Sequence, residues 1–468
     1  MKILFLIGLL IPAIASAQNV EVKFTVGEST GSMVQVSGRI RDQKTRNLSF
    51  VRSVGNIDKL GERVSAMILK DAAGKIVSYQ NPIPGEFVAD ADVTEFGYLL
   101  DLSLSMQNAA AHVSWMSNDH GVFMPDDMLP RFGLSGTPEF YVSSILPAGW
   151  VTTMPTGRIS DASDSVYYVG KGIAPKTVRA GNVSFNIVKT GEWQFADKDL
   201  EDAASEIYME YGRVFGGAVE SFTIGLFRFP NSTQTGQWQA ETRGRNVLIV
   251  SSDMAFKTQS IQRLHEQLRH EMFHLWIPNG VNLSGKYDWF YEGFALYQSL
   301  KTAVALNRIR FDDFLDTLSR AYAIDSRQTN RLSLIDASNK RWAGADTYIY
   351  ARGMVTAFLF DLQLLNASKG KRSVETIIRD VYSKHRFPAQ RIEGNAAVLS
   401  IIGQYPELTG IIERYVKGDG KFEWQNDLGL AGLESKPELS VIAKPNGRQK
   451  DLLDRLGYNN WKRAAPRK

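Results

Sequence analysis

Two histidines four residues apart, in the run His270-Glu271-Met272-Phe273-His274, stand on the same side of an α-helix, so their imidazoles can converge on one metal ion. Glu292 follows after seventeen intervening residues. From a second helix it would complete a His₂Glu ligand set and leave a fourth position for water, as a catalytic zinc requires. Glu271, beside the first histidine, is then placed to take a proton from that water. The chain has six histidines and no cysteine, so any metal site must be built from His, Asp and Glu.

A five-residue pattern with three defined positions recurs by chance, so its surroundings decide its meaning. At about 100° per residue, Ile261, Leu264, Leu268, Met272 and Leu275 fall on one stripe, and His270 and His274 fall roughly opposite. A core-facing stripe with a separate histidine face is what a metal helix lining a cleft needs. His265 lies on the apolar stripe, which predicts a satisfied core residue rather than a ligand. Pro278 ends the helix, and Asp288 is suited to N-cap the helix that carries Glu292.

The elements that must position these residues change character along the chain. Residues 19 to about 190 read as strands: Val20 to Val26 alternates strictly, and Met33–Gly38 and Tyr98–Leu104 are similar short runs. Turn clusters at Asp71–Gly74 and Pro82–Gly85 separate such runs, as in an all-β sandwich. Helical spacing begins at Leu200–Gly216, two strand-like runs follow (Phe222–Phe229 and Asn246–Val250), and residues 300–417 are mainly helical. With 468 residues, two or three domains are expected. The expected layout is a leader at 1–17, an N-terminal β-sandwich at 18–195, a mainly helical metal-binding domain with a small sheet at 196–425, and a basic tail at 426–468. The fold class is multidomain α+β.

Composition narrows the function classes. The first residues combine Lys2, an apolar run and Ala15-Ser16-Ala17, the pattern of a secretory signal peptide, which predicts a periplasmic or extracellular protein. No later run approaches the roughly 18–20 apolar residues of a membrane span. The net charge is +4, but residues 441–468 alone carry +6, leaving the preceding 440 residues at −2. That excludes nucleic-acid binding by charge and predicts a solvated basic tail. Nothing in the sequence indicates an oligomeric state.

The run from Trp289 to Tyr297, reading W-F-Y-E-G-F-A-L-Y after H-E-M-F-H-L-W, resembles the gluzincin zinc peptidases, the aminopeptidase N relatives and, more closely, the glycyl aminopeptidase family. Trp276, two residues past the second histidine, and Leu146-Pro147-Ala148-Gly149-Trp150 are similar to that family as well. The resemblance implies a thermolysin-like catalytic domain, one Zn²⁺ held by His270, His274 and Glu292, Glu271 as general base, and a peptide or protein substrate. It also implies an oxyanion-binding tyrosine in a Y-x-K-G motif, matched by Tyr350-Ala351-Arg352-Gly353 with Arg for Lys, 58 residues after Glu292. The family's glutamate for the substrate α-amine, in a G-x-x-E pattern, meets Gln239 in Gly236-Gln237-Trp238-Gln239-Ala240-Glu241; Glu241 takes its place only in a shifted register. The residues after the helical region are too few for the PDZ domain these enzymes commonly carry.

An aminopeptidase is therefore the first expectation. An endopeptidase or narrow processing enzyme is the alternative that Gln239 motivates. A non-catalytic binding protein with a structural zinc is the third, disfavoured by Glu271, which such a site does not need.

Overall fold

The structure, a computed structural model, describes residues 18–460 apart from 29–30, 105–108, 134–137, 160, 232 and 437. The expected signal peptide and residues 461–468 lie outside the described residues. The chain divides into two compact units, one of residues 1–105 with 113–173 and one of residues 106–112 with 174–468.

The first unit is built from strands. Val20, Val22, Phe24 and Val26 are buried while Glu21 and Lys23 are exposed, so the strict alternation in the sequence becomes one buried and one solvated face of the strand Gln18–Val26. This strand sits inside a seven-stranded sheet, antiparallel to Met33–Ile40 and parallel to Pro138–Ile145. Two four-stranded sheets accompany it. Residues of all three, among them Val36, Leu48 and Val169, share one apolar cluster.

The second unit holds a five-stranded sheet. Its order is Lys176–Ala180, Val183–Lys189, Thr223–Phe227, Asn246–Ser251 and Trp238–Arg243. The three inner strands are parallel and the two edges antiparallel. The first two strands fall within the span expected for the N-terminal domain, so the observed division lies near residue 173 rather than 195. Their alternation marks them as strands but carries no information about their partner, which is Thr223–Phe227.

Helices bury the sheet's apolar residues. Asp197–Phe215 ends at Gly216, whose φ of 68° closes the helix in the left-handed conformation. The histidine helix, Lys257–Phe273, buries Leu264, Leu268 and Met272, as its stripe predicts. The glutamate helix is Asp288–Ala305 and the tyrosine helix is Asp346–Ala367, the latter buried on nearly every side. The expected solvated tail is instead folded through residue 460. Asn446 caps the helix Gly447–Leu456, and Leu452, Leu453 and Leu456 are buried in the same core as the tyrosine helix. The net charge of this segment hides an amphipathic helix with leucines at i, i+1 and i+4. No helix among the described residues is long and apolar enough to cross a membrane.

Candidate metal centre

His270, His274 and Glu292 come together as the spacing predicts. Glu292 Oε2 lies 3.3 Å from His270 Nε2 and 3.4 Å from His274 Nε2, and the two Nε2 atoms are 3.3 Å apart. All three side chains are buried. The histidine helix closes at Phe273, and His274 retains αR geometry in the turn beyond it, so the four-residue spacing still aims both rings the same way. His274 Nδ1 is 3.1 Å from the Ile277 carbonyl. Donation there leaves Nε2 with a lone pair for a metal. Glu292 Oε2 is buried and has no hydrogen-bond partner among the described residues.

Three acceptor atoms facing one another from buried side chains fit a divalent cation, and two imidazoles with one carboxylate fit zinc. Without a metal, Glu292 and His274 shift each other's ionisation. Burial alone would raise the Glu292 pKa, yet the charges of His274 and Arg341 hold it well below the usual carboxylate range. Burial likewise pulls His274 down, and Glu292 outweighs it, so the imidazole is raised.

Two glycines bring the glutamate and tyrosine helices together. A Cβ on Gly293 would lie 2.5 Å from the Gly353 Cα, and one on Gly353 would lie 2.8 Å from both the Gly293 Cα and the Trp289 carbonyl oxygen. Glu292 precedes one of these glycines and Tyr350 is three residues before the other, so the backbone contact sets the spacing of ligand and phenol. Helix propensity favours alanine over glycine by about 1 kcal/mol. Backbone overlap costs on the order of 1–3 kcal/mol or more, and it acts on both helices. Gly353→Ala should therefore lower the thermal midpoint and weaken zinc retention; a rise in midpoint would mean the helices can separate freely.

Tyr350 stands with its ring centroid 6.0 Å from that of His270, and its hydroxyl accepts a hydrogen bond of 2.9 Å from Arg341 Nη2. Burial, and then the Glu292 charge, raise its pKa well above that of a free phenol, so it stays a proton donor. Arg352, which replaces the lysine of the expected motif, is fully buried. It pairs with Asp325 at 2.8 Å and donates to the carbonyls of Tyr415 and Gly420.

The sequence reading did not single out Thr242 or Arg341. Thr242 lies on the edge strand Trp238–Arg243, and its hydroxyl is 2.8 Å from Glu271 Oε2 and 2.9 Å from the Glu271 carbonyl. Asp288 is the first residue of its helix rather than its cap, with Tyr287 at the cap position; its carboxylate instead accepts from Arg341 at 3.0 Å. A buried glutamate requires a counter-charge, which is the one signal that points to an arginine, though not to which. His265 is buried as expected, 2.5 Å from Glu206 and against Arg269. Trp276 is buried too, stacked on Phe215 and donating to the Gly217 carbonyl.

Gln239 and Glu241 lie on one face of the edge strand, opposite that of Thr242. The buried Gln239 Oε1 has no partner among the described residues. Glu241 is 2.5 Å from His112 Nδ1 and 2.5 Å from Arg243 Nε. Burial works against its charge, but Arg243 and His112 bring its pKa down to about 2. It is an ionised carboxylate, two of whose neighbours are basic side chains.

No family model matches the chain, and no curated protein does. Solved structures do. An aminopeptidase N family protein from Idiomarina loihiensis superposes with a TM-score of 0.75 at 14% identity, covering 92% of this chain and 82% of that one. An M1 zinc metallopeptidase from Deinococcus radiodurans, in a mutant form bound to a Tyr-Ser-Ala substrate, gives a TM-score of 0.54 at 15% identity, covering 87% and 94%. A second structure of the mutant enzyme gives 0.53, also at 15% identity, covering 86% and 94%. The expected multidomain α+β architecture, with several sheets and a helical C-terminal region, is thus the fold of the aminopeptidase N-type M1 zinc metallopeptidases.

Proposed function

We propose that this chain is a zinc-dependent peptidase of the gluzincin kind, hydrolysing peptide bonds as an aminopeptidase. The observation that carries the reading is the convergence of His270, His274 and Glu292 beside a non-ligand glutamate and a phenol. In this reading the first unit is the N-terminal β-sandwich and the second a thermolysin-like catalytic domain. The leader at 1–17 supports export to the periplasm or the exterior.

His270, His274 and Glu292 would hold the metal. Zinc, when bound, supplies Lewis acidity to the scissile carbonyl and acidifies water. Glu271 accepts a proton from the attacking water and delivers it to the leaving amine. The Thr242 hydroxyl steadies the Glu271 carboxylate through its 2.8 Å contact. Tyr350 donates its proton in a hydrogen bond to the carbonyl oxygen as negative charge develops there. The first test is metal content measured beside chelator-sensitive hydrolysis of alanyl and glycyl chromogenic amides. A zinc-loaded protein that cleaves no peptide would leave the binding-protein reading in its place.

An exopeptidase also needs an anchor for the substrate α-amine. Glu241 lies on the same edge strand as Thr242, on its other face, and its ionised state supports that role. A hydrogen bond to a charged group is worth about 1.5–3 kcal/mol, so Glu241→Gln should raise KM for free-amine substrates by about tenfold or more. N-blocked peptides should be cleaved poorly by the wild type. The contacts of Glu241 with His112 and Arg243, and the neutral Gln239, favour a second reading, an endopeptidase or processing protease. Cleavage of blocked peptides alone, unaffected by Glu241→Gln, would establish that one.

A further inference from the structure

We infer that Arg341 is a positioning residue of this site: one guanidinium ties Glu292 to Tyr350 and fixes the orientation of both. The inference rests on the peptidase reading above and deepens it.

Arg341 begins a single turn of 3₁₀ helix, Arg341–Ala343, just before the tyrosine helix. Its side chain is 13% exposed, and each of its three nitrogens is engaged. Nη1 donates to Glu292 Oε1 at 2.8 Å and to Asp288 Oδ1 at 3.0 Å. Nη2 donates to the Tyr350 hydroxyl at 2.9 Å, and Nε donates to Asp346 Oδ1 at 2.9 Å. The four partners form two i, i+4 pairs, Asp288 with Glu292 on the glutamate helix and Asp346 with Tyr350 on the tyrosine helix. Residues so spaced share a helix face, and Arg341 bridges the two faces near the close contact of Gly293 with Gly353.

Two consequences follow from the donor geometry. Arg341 occupies Oε1 of Glu292, whereas Oε2 is the oxygen that faces both histidines. The guanidinium therefore selects which carboxylate oxygen is left for the metal. At Tyr350 the oxygen accepts from Nη2, so its own proton is not spent on the arginine. A planar fork can do both at once, and a lysine ammonium, a compact point donor, cannot reproduce that geometry.

The test uses the full-length protein with Arg341→Met and Arg341→Lys, each alone and combined with Tyr350→Phe. Removing an outer partner of a metal ligand typically costs 10–100-fold in affinity or activity, so Arg341→Met should lower kcat by about that much with KM little changed. In the Tyr350→Phe background the same substitution should cost little further, because the two act as a unit. Thermal unfolding gives a readout independent of turnover. Without Arg341 the buried Glu292 loses one of its two counter-charges, a loss that a bound zinc offsets, so the metal-free protein should lose more midpoint than the zinc-loaded protein. Arg341→Lys should recover most of that midpoint and little of the kcat. If Arg341→Met does not fold, the lysine variant carries the comparison.

Equal midpoint losses in both metal states, or effects additive with Tyr350→Phe, would make Arg341 a packing residue and overturn the inference. So would full activity in Arg341→Met. A wild type that hydrolyses nothing, or a Tyr350→Phe variant that matches it, instead defeats the peptidase reading; the midpoint comparison still decides whether Arg341 serves Glu292.

Discussion

Glu271→Gln should reduce peptide hydrolysis by about 10²–10⁴-fold, the contribution of a positioned general base, while zinc stays near one per chain. The reasoning is geometric. The metal-facing atoms belong to His270, His274 and Glu292, and Glu271 is not among them. Its carboxylate is instead held by Thr242 from the edge strand. Glutamine has the same shape and retains an oxygen for that hydroxyl, so the fold and the ligand set should be undisturbed. What glutamine lacks is a basic oxygen. Turnover of an alanyl amide, bound zinc and the thermal midpoint together check the assignment. Substantial residual activity would mean another group takes the proton. Loss of zinc alongside activity would mean that Glu271 supports the ligands instead.

Most of the metal centre is legible in the sequence because it depends on local periodicity. Leu264, Leu268 and Met272 share a face of one helix by arithmetic alone, and the same arithmetic puts His270 beside His274. Glu292 is less local: its place in the site needs the second helix to cross correctly, and the glycine after it is the sequence trace of that crossing. Gly293 and Gly353 both occur in runs that suggest catalysis, yet each is there to let two backbones meet. The strands of the first unit are readable for the same reason, since alternation is a property of consecutive residues.

Partners distant in the chain are not readable in this way. Arg341 is 49 residues from Glu292 and Thr242 is 29 residues from Glu271, and no periodicity links either pair. Asp288 illustrates the limit. Its type and position suit a helix cap, but a buried guanidinium offered it a stronger, charge-assisted partner. The strands at 176–189 were recognisable as strands while their sheet was not. In the C-terminal segment, charge conceals the leucines of a helix that joins the core.

Tyr350→Phe should lower kcat by about 10²–10³-fold, the usual cost of losing one oxyanion donor, with KM and zinc content nearly unchanged. Two roles compete for this residue, since Tyr348 two positions earlier is a packed aromatic whose hydroxyl donates to the Leu332 carbonyl at 2.8 Å. Packing depends on the ring, which phenylalanine keeps, 6.0 Å from the His270 ring in the wild type. Catalysis depends on the hydroxyl, which accepts a hydrogen bond from Arg341. The substitution therefore separates the two roles. An interaction made only in the transition state lowers kcat and kcat/KM equally, whereas a packing defect lowers the thermal midpoint and metal retention together. Because the phenol's pKa is pushed upward by burial and by Glu292, the hydroxyl keeps its proton across the neutral range. The loss in Tyr350→Phe should accordingly be the same at pH 6 and pH 8, and a defect confined to one end of that range would assign the phenol a different task.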